Sequence, residues 1–239
     1  MPVCHDPAFV FVHIPKCAGS SITDALVRSG CLLSFQGAAS LDYRLLHNVQ
    51  WLHHAPARVL REILPPEFWQ SAFKFAVVRN PWARLVSFYH YRRRKAPRYP
   101  ALSWNAANVG FLLGRPRLWR KFFLEIRRCG FAQKQMTEYR REESFSAWLE
   151  RQLGNADFVK AFSCSHYACD RNGSLLVDEV FRQETLAEEL GRLNVRLGLQ
   201  LSLQRLNASD HHDYRSYYSG ELRDRVASSF ALDVSRFGD

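Results

Sequence analysis

Pro15, Lys16, Cys17, Ala18, Gly19, Ser20 and Ser21 place one cation, one glycine and two hydroxyls in a single short run. Such a run suits an anion when it joins a strand to a helix, because the loop presents backbone N–H groups and the positive end of the helix dipole. It is not a Walker-type loop for a magnesium nucleotide. That pattern sets its lysine directly after the last glycine and a Ser or Thr after the lysine, whereas Lys16 precedes Gly19 and is followed by Cys17. Further along, Arg79, Asn80 and Pro81 form a break, and Ser87 lies eight residues beyond Arg79. The planar fork of an arginine matches a phosphate. Between the two groups stand His53 and His54, imidazoles able to take a proton near neutral pH. Each residue also has a plain structural reading. Gly19 and the serines could simply start a helix, Arg79 could pair with a core carboxylate, Ser87 could be a buried helix serine, and a histidine could be a satisfied core residue.

The elements that must position these residues can be read around them. Ala8 to Val12 (AFVFV) is β-prone and stops at His13-Ile14-Pro15, since proline cannot donate to a ladder. Ile22, Ala25, Leu26 and Val27 then have the spacing of one helix face, ending near Ser29-Gly30. A second unit repeats the order: Ala72 to Val78 is β-rich, Arg79-Asn80-Pro81 breaks it, and Trp82 to Tyr91 carries helical spacing, with Pro81 in the first turn. A third unit pairs a strand over Leu175 to Phe181, after the Asn172-Gly173 turn, with a helix from Thr185 to Leu197. Ala57 to Leu64, Leu118 to Arg128 and Gly220 to Phe230 also read as helices. The alternation predicts an α/β fold, a mostly parallel sheet flanked by helices on both faces. We expect one domain over residues 1–239, with 92–143 as a basic helical insertion or lid.

The chain has 239 residues and 47% hydrophobic content, enough for a packed core and far from the composition of disorder. Its net charge is +10, and residues 92–143 alone hold fourteen Lys or Arg against four Asp or Glu, so the remainder is neutral. A basic segment of this kind attracts an acidic acceptor, contacts nucleic acid, or is merely a solvated helix face. No run of about 20 apolar residues predicts a membrane anchor, and the start lacks the pattern of a secretory signal. The six cysteines are too irregular for a disulfide framework, which points to a reducing cytoplasm. Cys164, His166 and Cys169 could be a metal site, but scattered structural thiols are the simpler reading.

The run Phe11-Val12-His13-Ile14-Pro15-Lys16-Cys17-Ala18-Gly19-Ser20-Ser21 resembles the 5′-phosphosulfate loop of the carbohydrate sulfotransferases related to the chondroitin 4-O- and heparan 2-O-enzymes. Lys74 to Tyr89 is similar to the strand, R-N-P turn and helix that hold the donor's 3′-phosphate in that family. His54-Ala55-Pro56-Ala57 looks like its H-A-x-A segment, and Val177 to Glu184 resembles its V-D-x-V-x-R-x-E strand. The runs Asn207-Ala208-Ser209 to Tyr217-Tyr218 and Asp233 to Gly238 are similar as well. Only 92–143 has no counterpart. Because the membrane anchor and stem of the animal Golgi enzymes are missing, the resemblance suggests a soluble, bacterial member.

The resemblance implies a P-loop-like fold and a metal-independent transfer of a sulfuryl group from 3′-phosphoadenosine 5′-phosphosulfate (PAPS), leaving 3′,5′-adenosine bisphosphate (PAP). It implies that Lys16, Cys17, Ala18, Gly19, Ser20 and Ser21 cradle the 5′ end, with Lys16 also catalytic, and that Arg79 and Ser87 hold the 3′-phosphate. His54 is then the expected base, with His53 beside it as competitor. His13 is expected to support the strand end, and His211 and His212 to lie in a surface turn or on a substrate rim. Arg182 and Glu184 could form an ion pair or touch substrate. Cys17, a thiol beside a lysine at a helix start, is expected to be oxidisable. The implied acceptor is an anionic glycan or glycoconjugate, without nucleic acid as partner. Two other readings remain: a small-molecule P-loop kinase, which lacks a Mg²⁺-binding hydroxyl after Lys16 and a convincing Walker B Asp, and a basic nucleic-acid-binding protein, for which no recognition motif is present.

Overall fold

The computed structural model describes residues 3–31, 54–95, 143–204 and 212–238. Most of the basic segment with its expected helix, His53, His211 and residues 207–209 lie outside them.

Four strands form one sheet in the order β1 (Val3–His5), β2 (Ala8–Val12), β3 (Phe73–Val78), β4 (Glu179–Arg182). β1 runs antiparallel to β2, while β2, β3 and β4 are mutually parallel. The fold is α/β, as the sequence predicts. β2 holds Phe9, Val10, Phe11 and Val12 with no exposure at all. Consecutive strand residues point to opposite faces, so both faces of β2 are covered, and this is why AFVFV is a continuous apolar run instead of an alternating one. Phe11 of β2 stacks on Phe75 of β3 at 4.9 Å between ring centroids, and Phe75 meets Phe181 of β4 edge-on at 6.0 Å. These rings tie the three parallel strands together at mid-sheet.

Among the helices, α1 spans Gly19–Arg28, α2 Ala57–Ile63, α3 Pro66–Ser71 and α4 Pro81–Lys95; α1, α2 and α4 follow the sequence reading closely, while α3 is not anticipated by it. The proline pair at 65–66 ends α2 and also starts α3, with Pro66 at its first position. The third unit is corrected. The strand is Glu179–Arg182, later and shorter than 175–181. Leu175 makes only an isolated antiparallel bridge to Cys169, and Val177 is buried as a core side chain before the strand begins. The N–H of Asp178 donates to the Lys74 carbonyl at 2.8 Å, while its carboxylate accepts from the Lys74 N–H at 2.7 Å. Its side chain thus enters the ladder in place of a strand neighbour.

The remaining helices are α5 (Phe145–Leu153), α6 (Ala156–Phe162), α7 (Cys164–Ala168), α8 (Leu186–Leu197), α9 (Gly220–Ser229) and α10 (Ala231–Phe237), with a 3₁₀ turn at Tyr214–Tyr217. The helix read over Gly220 to Phe230 is α9 with its C-terminal cap at Phe230, whereas α10 beyond it is not anticipated by the sequence reading. Leu85, Val86, Phe88 and Tyr89 of α4 pack with Phe145, Trp148, Phe158, Phe162, Leu222 and Val226 in a second hydrophobic cluster. One side of α4 is therefore fixed by aromatic packing, which sets what its other side presents. Among the described residues no helix is long and apolar enough to cross a membrane.

Candidate active site

Because β2 and β3 are parallel neighbours, with Val12 opposite Ala76, the loop after β2 and the turn after β3 leave the same edge of the sheet. Open α/β sheets bind ligands at this edge. The loop after β2 holds Lys16 at φ 68° and Ala18 at φ 56°, a left-handed backbone that costs a non-glycine residue about 1 kcal/mol or more. Ala18 is the residue preceding α1 and carries no side-chain oxygen, so no side chain caps the first turn. Its carbonyl receives the N–H groups of Ser21 and Ile22. A helix start left without a side-chain cap keeps its first N–H groups available to an anion.

Gly19 is required sterically and not for its φ. A Cβ at this position would lie 1.8 Å from Nε2 of His13, whose ring is buried and stacked on Phe11 at 5.5 Å. His13 therefore supports the strand end, as the sequence suggests, and does so by filling the space under the loop.

After β3, Asn80 starts α4: its Oδ1 accepts from the Ala83 N–H at 3.2 Å, and Pro81 follows at the first helical position. The Asn80 N–H donates to Oε1 of Glu184 at 2.9 Å. Glu184 thus holds the R-N-P turn, and Arg182 donates separately to the Gly238 carbonyl at 2.9 Å. The alternative of an Arg182–Glu184 ion pair is not what the geometry shows. Burial lowers the Arg79 guanidinium below its ordinary value, against the opposing pull of Cys17 and Glu184. Its Nε is buried and has no hydrogen-bond partner among the described residues. Ser87 is also buried, at 4% exposure. A buried arginine nitrogen of this kind can take an acceptor from a water, an ion or a ligand.

The face of α4 turned toward the loop carries Arg84, Ser87 and Tyr91 at helical spacing. Arg84 is almost completely buried, at 1% exposure. Its Nε donates to the Pro15 carbonyl at 2.9 Å, and its Nη1 is shared between the Phe162 carbonyl and, at 3.2 Å, the Cys164 sulfur. The guanidinium also lies 4.1 Å over the Phe162 ring. Seven residues on, Tyr91 receives the Lys16 ammonium over its ring at 4.1 Å. The sequence reading quotes Arg84 and Tyr91 without a role, because a contact to a loop some 70 residues earlier leaves no local pattern.

His54 lies three residues before the start of α2, and its Nδ1 is 2.9 Å from the His13 carbonyl oxygen. The two imidazoles meet edge-on at 4.5 Å. A carbonyl only accepts, so Nδ1 carries the proton, and neutral His54 has its lone pair on Nε2. His54 is thus brought to the loop that holds Lys16 and Gly19. His212 is exposed.

Cys17 is buried within the same neighbourhood. Burial pushes its thiol up, but a hydrogen bond from Cys164 and the charges of Arg84 and Arg79 outweigh this and leave it below the ordinary cysteine value. Cys164 and Cys169 are separate in role, each facing a guanidinium: Arg84 for the first and Arg236 at 3.4 Å for the second. Among the described residues no group of three or more His, Cys, Asp or Glu could hold a metal. Asp233 of α10, buried at 2%, accepts from the N–H groups of Cys164 and Ser165 and from the hydroxyls of Ser163 and Ser165. It fixes the start of α7, and with it the sulfur that Arg84 touches.

The family model described as the sulfotransferase family matches residues 1–238. No curated protein and no solved structure matches the chain.

Proposed function

Given that the chain belongs to the sulfotransferase family, we propose that it transfers a sulfuryl group from PAPS to a hydroxyl of an anionic carbohydrate. The observation that supports this most is the buried Nε of Arg79, without a hydrogen-bond partner among the described residues, on the turn beside the uncapped loop of residues 15–21. A nucleotide with phosphate at both its 5′ and 3′ positions supplies acceptors for both places. The fit extends to shape, since the loop backbone at Ala18 and Gly19 carries no side chain larger than a methyl group.

In this reading Ala18 to Ser21 receive the 5′ group through backbone N–H and hydroxyl donors, with Cys17 as a small loop residue. Arg79 and Ser87 hold the 3′-phosphate. The acceptor oxygen attacks sulfur, the bond from sulfur to the bridging phosphate oxygen breaks, and the acceptor proton passes to Nε2 of His54. Lys16 stabilises the negative charge that grows on the leaving phosphate. The products are a sulfate ester and PAP. Lys16 and Arg79 supply the positive charge, so no metal is required. Residues 92–143, with their excess of ten positive charges, act on the acceptor side of one domain covering residues 1–239 and favour an acidic glycan.

The test is substitution of the two cations. Lys16→Ala and Arg79→Ala should each lower turnover by roughly 30- to 1000-fold, the effect of losing about 2 to 4 kcal/mol of charge stabilisation. The variants should unfold near the wild-type temperature when free of nucleotide, and stabilisation by PAP should be reduced. Wild-type turnover by a folded Lys16→Ala protein would falsify the donor-site reading.

A further inference from the structure

We propose that Tyr91 is a positioning residue that acts through Lys16: its ring face holds the lysine ammonium beside the R-N-P helix before nucleotide arrives. This rests on the reading of Lys16 as the cation at the leaving phosphate.

Three observations carry it. The ammonium lies 4.1 Å from the centre of the Tyr91 ring, the geometry of a cation–π contact. Lys16 itself sits at φ 68°, where the left-handed backbone limits the directions its side chain can take. Tyr91 is four residues beyond Ser87 and seven beyond Arg84, so the three share one stripe of α4. Arg84 fixes the carbonyl of Pro15, the residue just before Lys16, at the other end of that stripe. The loop is therefore held at two successive residues, by a hydrogen bond to its backbone and by a ring under its charge. Without the ring, the ammonium loses a contact that restricts its four-carbon stem, and ordering it as the leaving phosphate becomes charged costs more. A group held in place beforehand avoids that cost in the transition state, so the contact should appear in kcat more than in binding.

Three variants separate the possibilities. Tyr91→Leu removes the ring and should lower kcat by roughly 3- to 30-fold, the range of a partly desolvated cation–π contact, with PAP affinity by calorimetry changed less than about threefold. Tyr91→Phe keeps the ring face and should recover most of the turnover lost in the leucine variant. If the phenylalanine variant falls as far as leucine, the hydroxyl is the active part and the proposal fails. Lys16→Ala is the reference. Should it retain turnover, the underlying donor-site reading fails; should it be inactive while Tyr91→Leu turns over like wild type, only the present proposal fails.

A readout independent of turnover is the Lys16 side chain in the nucleotide-free protein. Its Cε protons should be shifted upfield by the ring current in wild type and in Tyr91→Phe, lie at ordinary positions in Tyr91→Leu, and move when PAP is added. Ordinary lysine shifts in the wild-type protein overturn the proposal even if no variant folds.

Discussion

The Nδ1 atom of His54 lies 2.9 Å from the carbonyl oxygen of His13, the residue whose ring occupies the space beside Gly19. One backbone oxygen thereby sets the tautomer of the imidazole and places it against the loop. With Nε2 as base, His54→Ala should lower kcat by about 10²- to 10⁴-fold while PAP affinity stays within a few-fold. Protonation removes the lone pair, so wild-type kcat should fall toward acid pH, and this limb should vanish in the variant. His53→Ala is the control and should be much milder. A dead His53→Ala enzyme with an active His54→Ala enzyme would move the base by one residue.

Gly19→Ala should destabilise the protein by about 1 to 3 kcal/mol, since its methyl group meets a rigid, buried ring. Urea unfolding measures this. The explanation carries its own check: adding His13→Ala opens the space and should restore part of the loss. A double variant no more stable than Gly19→Ala alone would show that the ring is not the obstacle.

Arg84→Met should cost about 2 to 4 kcal/mol, because the Pro15 and Phe162 carbonyls each lose a donor inside the protein. PAP affinity should fall with stability, as the loop loses its tie to α4. Arg84→Lys should recover little, since an ammonium cannot reach two carbonyls and a sulfur in one plane. Unchanged PAP affinity in a folded methionine variant would remove Arg84 from the support of the loop.

The Glu179 carboxylate is held below its ordinary value by the Arg196 hydrogen bond first and by Arg192 after it, against some burial. A folded value below the unfolded one, near 4.3, means stability that is present above that pH and lost as pH falls through the folded value. Both arginines are more than half exposed, at 62% and 60%, so Glu179→Gln should cost less than about 1 kcal/mol at pH 7. Thermal scans of the two proteins should converge as pH drops below 4. A gap that does not narrow at all as pH falls below 4 would mean that packing, not charge, is what the substitution removes.

The framework of the candidate site is legible in the sequence because its signals are local. The run from Ala8 to Val12 is both β-prone and bounded by proline, and the observed strand has those bounds. Asn80 and Pro81 announce α4 by cap and first-turn chemistry. The third strand was misplaced because Leu175, Leu176 and Val177 have the propensity of a strand while the register is decided by Asp178, whose carboxylate binds the Lys74 backbone. Propensity cannot see that contact. Arg84, Tyr91 and Asp233 were passed over for a related reason: they act on Pro15, Lys16 and Cys164, each about 70 residues away or more in the chain. Their meaning exists only once the sheet and α4 have assembled.

Asp233 fixes the start of α7, Cys164 of α7 meets Arg84, and Arg84 holds Pro15. The support of a loop near residue 15 thus runs through contacts to residue 233. During synthesis the loop leaves the ribosome before α10 does, so its last brace is made only after the residues between them have followed. A nascent chain halted before α10 should therefore hold its sheet strands while failing to retain nucleotide, so that competence to bind arrives late and as a single event.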